Sequence, residues 1–173
     1  MTALIAESIG QLRLAIDPSG SRIDELAFRS ANEIIDRGDS LIVVDAAGCF
    51  EPARVTHSAR IGAIDPALLL KKLRVLPARS AAELEDIILH QLEFACDRFG
   101  TRHVLFTDLL GTLYDSTIST RDAARMLGRI KSRLEMLALN GFEIVVLCRR
   151  DESEHGTRSH FLSSLRASAS AQR

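Results

Sequence analysis

The sequence feature that most constrains the fold is the stretch from Leu41 to Val55, in which a short apolar run ends in Asp45. A short run without polar residues indicates a strand that is covered on both faces, as in a parallel sheet flanked by helices. Asp45 is followed by a turn containing Gly48, and Pro52 then lies near the start of a helical segment. The turn is therefore expected at the carboxyl edge of the sheet, where open α/β folds bind their ligands.

The rest of the chain alternates apolar runs with amphipathic segments, which is typical of an α/β protein with a mostly parallel sheet. The predicted strands are Leu12–Ile16, Leu41–Val44, Leu73–Leu76, His103–Thr107 and Phe142–Leu147. The predicted helices are Ile23–Ile35, Pro52–Ile61, Ala81–Phe99, Ser119–Leu139 and a last short one near Phe161–Leu165. The tail, residues 167–173, has little to bury and is predicted to fray.

Length and composition predict one domain, residues 1–173, that is long enough to bury a core. The net charge of −1 and a pI near 6.5 exclude a global positive field, so any nucleic acid would have to bind a local patch. No apolar run approaches the length of a membrane span, and the first residues lack the pattern of a secretion signal. Three scattered cysteines favour reduced thiols, so we predict a cytoplasmic protein without membrane contact.

Five residues of the opening stretch carry a resemblance to RecA-type strand-exchange recombinases, especially the archaeal RadA and eukaryotic branch. That family's pattern reads approximately D-T-E-G-T-F-R-P-E-R, and the chain keeps Asp45, Gly48, Phe50, Pro52 and Arg54. The resemblance implies a three-layer RecA-like core with helices on both faces of the sheet. Ala46 and Ala47 stand where the family has threonine and the glutamate thought to activate the attacking water.

A second resemblance lies in the run Val104-Leu-Phe-Thr that ends in Asp108, which is similar to the family's Walker B strand. The resemblance implies that Asp108 stands where the family holds magnesium-bound water. An aspartate at a strand end also commonly caps the following turn, and this alternative applies to Asp45.

The phosphate-binding loop of the family, G-x-x-x-x-G-K-[ST], corresponds to residues 17–24. The two glycines are replaced by Asp17 and Arg22, the lysine by Ile23, and the Ser or Thr by Asp24. The loop is thus a degenerate Walker A motif, whose vestigial nucleotide-binding set is Ser19, Gly20, Ser21, Arg22 and Asp108. A plain turn leading into a capped helix is the interpretation that we favour for residues 17–21.

Three catalytic positions of the family have been lost, because Cys148-Arg149 also replaces the Asn-Gln pair that closes its fifth strand. We therefore predict a pseudoenzyme with no catalytic residue, no metal and no cofactor, in which ATP with Mg²⁺ is disfavoured. Without a metal, the carboxylates of Asp24 and Asp108 would repel each other, so both are expected to lie partly in water.

Arginines follow the fifth predicted strand at the place of the family's second DNA-binding loop. Arg149, Arg150 and Arg158 are the candidate nucleic-acid contacts, since arginines at a strand's carboxyl edge can bind phosphates. A solvated loop is the alternative, and we favour it because interleaved aromatic residues are few. The apolar run Leu68–Leu70 is interpreted as core, with a docking surface as its alternative.

These observations lead to a predicted non-catalytic accessory protein in DNA recombination, DNA repair or the DNA-damage response. Its expected partner is a protein, either an active RecA-type ATPase or a DNA polymerase, with DNA as a further ligand. Two alternatives stay open at this point. One is a weak ATPase subunit completed by a neighbouring protein, and the other is a single-stranded DNA-binding module.

Overall fold

One sheet of six strands organises the computed structural model, which describes residues 5–9, 12–17, 22–51, 53–55, 57, 65–149, 158 and 160–170. The strands are β1 (Ile5–Ile9), β2 (Leu12–Asp17), β3 (Leu41–Asp45), β4 (Leu73–Pro77), β5 (His103–Thr107) and β6 (Glu143–Arg149). Their order across the sheet is β1-β2-β6-β5-β3-β4. Strand β1 is antiparallel to β2, and the remaining neighbours pair in parallel.

Helices connect the parallel strands. They are α1 (Ile23–Asp36), α2 (Pro66–Lys72), α3, α4 (Thr120–Leu139) and α5 (His160–Ser170). Helix α3 comprises the α-helical Ala81–Asp86, a π-helical turn at Ile87–Gln91 and the α-helical Leu92–Phe99. Residues 53–55 and 57 are also helical, and a 3₁₀ turn spans Gly111–Tyr114 after β5. Ser119 caps α4, because its hydroxyl accepts the N–H of Asp122 at 3.1 Å.

Two apolar cores cover the two faces of the sheet. On one face, α3, α4 and α5 pack on alternate residues of the strands, such as Ile42, Phe106 and Val146. On the other face, α1 and α2 pack on the intervening residues, such as Val43 and Leu105. The predicted three-layer α/β fold with a mostly parallel sheet is confirmed, and its arrangement is consistent with a RecA-like core.

Three predictions of local structure need correction. Neither strand β1 nor helix α2, which begins at Pro66, was predicted from the sequence. The side chain of Asp65 caps α2 by accepting the N–H of Ala67 at 2.9 Å, and proline is well tolerated at the first helical position. Helix α5 runs to Ser170, so residues 167–170 of the predicted frayed tail are helical, whereas 171–173 lie outside the described residues.

The apolar run of α2 is divided between core and surface. Leu69 is buried against α1, as the core interpretation predicts, whereas Leu68 and Leu70 are 41 % and 51 % exposed. The predicted helix Pro52–Ile61 can be compared with the structure only at residues 53–55 and 57, since its other residues lie outside the described chain.

The crossovers create a crevice at the carboxyl edge, between β3 and β5. After β3 the chain turns toward the face of α1, where Phe50 and Val55 are buried. After β5 it turns toward the opposite face, where Leu109 and Leu113 are buried. Because the segments that leave these adjacent parallel strands turn to opposite faces, a crevice forms between the segments, and this is where open α/β sheets bind ligands.

Candidate functional site at the carboxyl edge of the sheet

Charged side chains stand at the ends of four neighbouring strands. Asp17 of β2 is the register partner of Arg149 in β6, and Asp45 of β3 is the partner of Thr107 in β5. Asp108 follows β5, so it lies between these two pairs. The resemblance-based positions Asp45 and Asp108 are thus neighbours at one edge, as the sequence predicts.

The carboxylate of Asp45 holds the turn that follows β3. Its Oδ1 accepts the N–H of Cys49 at 3.1 Å and the hydroxyl of Thr107 at 2.6 Å, and its Oδ2 accepts the N–H of Phe50 at 2.9 Å. The Thr107 hydroxyl in turn accepts the N–H of Ala47 at 3.2 Å. Since Asp45 is only 7 % exposed, these donors replace water. The turn-capping alternative for Asp45 is therefore confirmed.

Asp108 is held in an unusual backbone conformation, with φ at 49°. Positive φ is uncommon for residues other than glycine and often marks a functional or formerly functional position. Its Oδ1 accepts the N–H of Arg149 at 3.3 Å, and its Oδ2 lies 3.4 Å from Nε of the same arginine. A Cβ on Gly111 would lie 2.5 Å from Oδ2, so only glycine leaves room for this carboxylate.

The expectation that Asp24 and Asp108 both lie partly in water is wrong for Asp108, which is 7 % exposed. Each acid has its own arginine instead, since Arg54 pairs with the half-exposed Asp24 as Arg149 pairs with Asp108. Asp24 also accepts the thiol of Cys49, with 3.1 Å between Sγ and Oδ1. Arginines of the chain thus supply the counter-charge of these carboxylates.

The structure describes only the two ends of residues 17–24, the segment for which a vestigial nucleotide-binding loop was predicted. Ser19, Gly20 and Ser21 lie outside the described residues. The buried Asp17 accepts the N–H of Arg22 at 2.7 Å, so the two described ends of this segment contact each other. The guanidinium of Arg22 makes a bidentate ion pair with Glu25, with contacts of 2.8–2.9 Å. Its charge is therefore already compensated before any phosphate approaches.

The three candidate nucleic-acid arginines differ in their surroundings. Arg149 lies at the sheet edge with its side chain 42 % exposed. Arg150 lies outside the described residues. Arg158 is buried at 8 % exposure, and its guanidinium donates to the carbonyls of Leu113 and Asp115 at 2.8 Å and to that of Ile118. This geometry favours a structural role for Arg158, because it ties α5 to the segment that leads into α4.

A cavity of about 420 Å³ opens beside Asp108, and we call it the edge cavity. The residues that line it include Ala46, Ala47, Arg79, Asp108, Thr112 and Arg149. The two alanines belong to the turn that follows β3, and their short side chains leave this space open. A larger cavity of about 700 Å³ is lined by residues of α1 and by Ala53, Arg54 and His57.

Arg79 and Thr112 are the residues of the edge cavity that the sequence analysis did not identify. Arg79 follows β4, so the rule that carboxyl ends of parallel strands meet at one edge could have found it. Thr112 lies in the 3₁₀ turn after β5. No sequence signal marks it, because its position depends on how that turn folds back over the sheet.

The cysteines of the chain are buried thiols. Burial, reinforced by the nearby Asp45 carboxylate, raises the pKa of Cys49 to about 12. Burial also raises the pKa of Cys96 to about 12 and that of Cys148 further still. A thiol with a raised pKa is a poor nucleophile at neutral pH, so none of the three has the character of a catalytic cysteine.

Searches for metal sites and relatives add little to this geometry. Among the described residues, no group of three or more His, Cys, Asp or Glu side chains could hold a metal ion. Within that same part of the chain, no helix is both long and apolar enough to span a bilayer. A scan against protein-family models finds no match, and a search of the curated proteins finds none either.

Proposed function

We propose that this chain is a non-catalytic RecA-like accessory protein of DNA recombination, repair or the DNA-damage response. It acts by binding a partner protein, an active RecA-type ATPase or a DNA polymerase, with DNA as a further ligand. The proposal rests on the sequence resemblance around Asp45 and Asp108, and the three-layer α/β fold is consistent with it.

The observation that carries the proposal is the state of Asp108. In the resembled family an aspartate at this place faces a magnesium-bound water, whereas here its carboxylate is buried and contacts both the N–H and the guanidinium of Arg149. A cation already occupies the position from which a metal would act. Releasing Asp108 for a metal would require breaking this partly exposed ion pair and the hydrogen bond from the Arg149 N–H.

The other acids of the edge lead to the same conclusion. The carboxylate of Asp45 accepts hydrogen bonds from its own turn, and that of Asp17 accepts the N–H of Arg22. Asp24, at the place of the metal-binding hydroxyl, is paired with Arg54. Ala47 stands where the resembled family has the glutamate thought to activate water, so this position supplies no general base for hydrolysis. Binding rather than catalysis is the function that this chemistry supports.

Affinity purification of the tagged full chain after DNA damage, with chemical cross-linking and mass spectrometry, tests the proposal. We expect enrichment of a RecA-type ATPase or a DNA polymerase, with cross-links on this chain. An unrelated α/β protein carrying the same tag and purified in parallel is the control. Recovery of only metabolic enzymes, at the level of that control, would count against the proposal.

Single-stranded DNA binding is a second candidate, because the half-exposed Arg149 lies where the sheet edge is open. A gel shift at low salt with an oligothymidylate tests it. We expect Arg149→Ala to weaken binding, whereas Arg29→Ala on the outer face of α1 leaves it unchanged. No shift with the unmodified chain, or equal shifts for both variants, would reject this candidate.

A further inference from the structure

Helix α4 packs on the sheet with one side and leaves another side uncovered in the part of the chain that the structure describes. Neighbouring helices flank it, since Arg133 pairs with Glu93 of α3 at 2.6 Å and Lys131 donates to Ser164 of α5 at 2.9 Å. The uncovered side carries a row of exposed or half-buried residues, which we call the α4 face: Arg121, Gly128, Ser132, Glu135, Met136 and Leu139. A helix face that combines exposed apolar and charged residues is a candidate interaction surface.

Two charged residues of the α4 face are arranged symmetrically about Gly128. Arg121 precedes this glycine by seven positions, and Glu135 follows it by seven. Seven residues make about two helical turns, or about 10 Å along the axis, so the three positions lie on nearly the same side of α4. Within the described part of the chain, neither charge has an ion-pair partner. The face therefore presents one positive and one negative charge at equal distances from its middle.

Opposite charges at equal distances from a midpoint match a second copy of the same face in antiparallel orientation. A two-fold axis at Gly128 places Arg121 of one copy opposite Glu135 of the other, and symmetry generates the second such pair. A different protein would have to reproduce both charges and their spacing, whereas a second copy of this chain has them already. The charge pattern thus identifies the occupant that complements this face.

The middle of the α4 face allows two helices to approach each other closely. Gly128 is exposed, and a Cβ at this position would meet nothing within 4 Å. Ala124 and Ser132, one turn away on either side, are also small and exposed. Met136 and Leu139 are 41 % and 76 % exposed, and in the antiparallel arrangement they would cover the beginning of the other α4. Removal of this apolar area from water would stabilise the pair.

We propose that the α4 face is the interface of a homodimer, in which two copies of α4 pack antiparallel about a two-fold axis at Gly128. Arg121 and Glu135 fix the orientation and the register through two equivalent ion pairs. Met136 and Leu139 supply apolar contacts at both ends. The dimer goes beyond the proposed function and does not depend on it, because no residue of the α4 face belongs to the carboxyl-edge site.

Sedimentation velocity of the full chain, at concentrations from about 1 µM to about 0.5 mM, tests the dimer. One pair of helices buries less area than a standard interface, so we expect a monomer–dimer equilibrium with a dissociation constant in the micromolar range. Because salt screens exposed ion pairs, the dimer is expected to weaken when the salt concentration rises. A monomer at all these concentrations would overturn the proposal and leave the face to a different protein. Species larger than a dimer would contradict the two-fold symmetry.

Charge reversal tests the pairing of Arg121 with Glu135. Arg121→Glu and Glu135→Arg each place like charges opposite one another, and each is expected to weaken the dimer about ten-fold or more. The double variant restores opposite charges and is expected to dimerise within about three-fold of the native chain. Arg29→Glu, at an exposed position of α1, is the matched control and is expected to dimerise as the native chain does. A double variant as weak as the single ones would contradict the pairing.

Substitutions at Gly128 test the position of the axis. Gly128→Leu favours the helix but fills the space between the two copies, so we expect a folded monomer by circular dichroism and sedimentation. Gly128→Cys brings two thiols together, and oxidation with copper phenanthroline is expected to join the copies by a disulfide. The native cysteines are buried and do not compete, and Arg29→Cys is the control that should stay unlinked. A dimer that survives Gly128→Leu, or equal cross-linking of both cysteine variants, would overturn the assignment.

Discussion

Asp45 and Asp108 follow neighbouring strands and are equally buried, yet the chain holds them by different means. Asp45 receives two backbone N–H groups and one hydroxyl, all from its own turn and the adjacent strand. Asp108 is stabilised by Arg149 and by a backbone conformation that brings its carboxylate over Gly111. Asp45 thus stabilises its turn, whereas the charge of Asp108 is balanced by Arg149 at the carboxyl edge of the sheet.

Replacement of Asp45 tests the first of these roles. Asp45→Ala leaves three donors without an acceptor in a buried turn, and we expect the free energy of unfolding to fall by about 3 kcal/mol. Asp36→Ala, at an exposed position of α1, is the control and is expected to change it by no more than about 0.5 kcal/mol. Urea denaturation of both variants measures the difference. Equal stability of the two would show that the Asp45 contacts do not stabilise the turn.

The buried thiols predict how stability depends on alkaline pH. Cys49 has a pKa of about 12 in the folded chain against an ordinary value of 9.0, so the folded state keeps its proton longer than the unfolded state does. Its contribution to stability is therefore complete below pH 9 and is lost as the pH rises from 9 toward 12. Each such thiol steepens this loss by up to about 1.4 kcal/mol per pH unit.

Urea unfolding of the native chain and of Cys49→Ala at several pH values between 8 and 11 measures this effect. We expect the free energy of unfolding of the variant to fall less steeply above pH 9 than that of the native chain, because one titrating thiol is gone. Cys96→Ala is a matched variant and is expected to behave similarly, since burial raises its pKa to about the same value. Parallel curves for native chain and variants would contradict the assignment of the raised pKa values.

At the scale of elements, two glycines differ in their surroundings. Gly111 lies in the turn after β5, and Gly128 lies in helix α4. A Cβ at Gly111 would lie 2.5 Å from Asp108, whereas a Cβ at Gly128 of α4 would meet nothing within 4 Å. We expect Gly111→Ala to destabilise the chain by about 1–3 kcal/mol through this overlap. Gly128→Ala is expected to stabilise it by about 0.5–1 kcal/mol, because alanine favours the helix.

Thermal unfolding of the two glycine variants provides the comparison. Opposite signs of the shift in melting temperature are the expected result, with Gly111→Ala lower and Gly128→Ala higher than the native chain. A Gly111→Ala variant as stable as the native chain would mean that the Asp108 carboxylate can move away at little cost. In that case the contact between Asp108 and Arg149 would be easier to open than its geometry suggests.

The elements that could be predicted from the sequence are those with a clear pattern. Strands β2 to β6 each carry an apolar run, and the long helices α3 and α4 have a clear helical period. Strand β1 was missed because Glu7 and Ser8 interrupt its apolar residues, and α2 because the three consecutive leucines Leu68–Leu70 hide its helical period.

The site could be predicted only in part, for a physical reason. The sequence places Asp45 and Asp108 at strand ends, but it does not give the order of strands across the sheet. The pairing of Asp108 with Arg149 depends on β6 lying next to β5, and the position of Arg79 depends on β4 lying at the far edge. Contacts between residues that are distant in the sequence could therefore not be predicted and are seen only in the structure.

At the scale of the whole molecule, the carboxyl edge of the sheet has an open cavity, and several charged side chains near it pair with one another. The segments that follow β3 and β5 turn to opposite faces of the sheet, as in α/β proteins that bind ligands there. Arg149 pairs with Asp108, Arg54 with Asp24, and Arg22 with Glu25. Under the proposed function, the described charged residues at the positions compared with the family's magnesium and phosphate sites are paired with one another.

Calorimetric titration of the full chain with ATP and Mg²⁺ tests that central claim most directly. The account predicts no heat beyond dilution at millimolar nucleotide, because the arginines and acids of the edge are already engaged with one another. A saturating isotherm that disappears in Asp108→Ala, with the variant still folded, would contradict it and would favour a residual ATPase subunit instead.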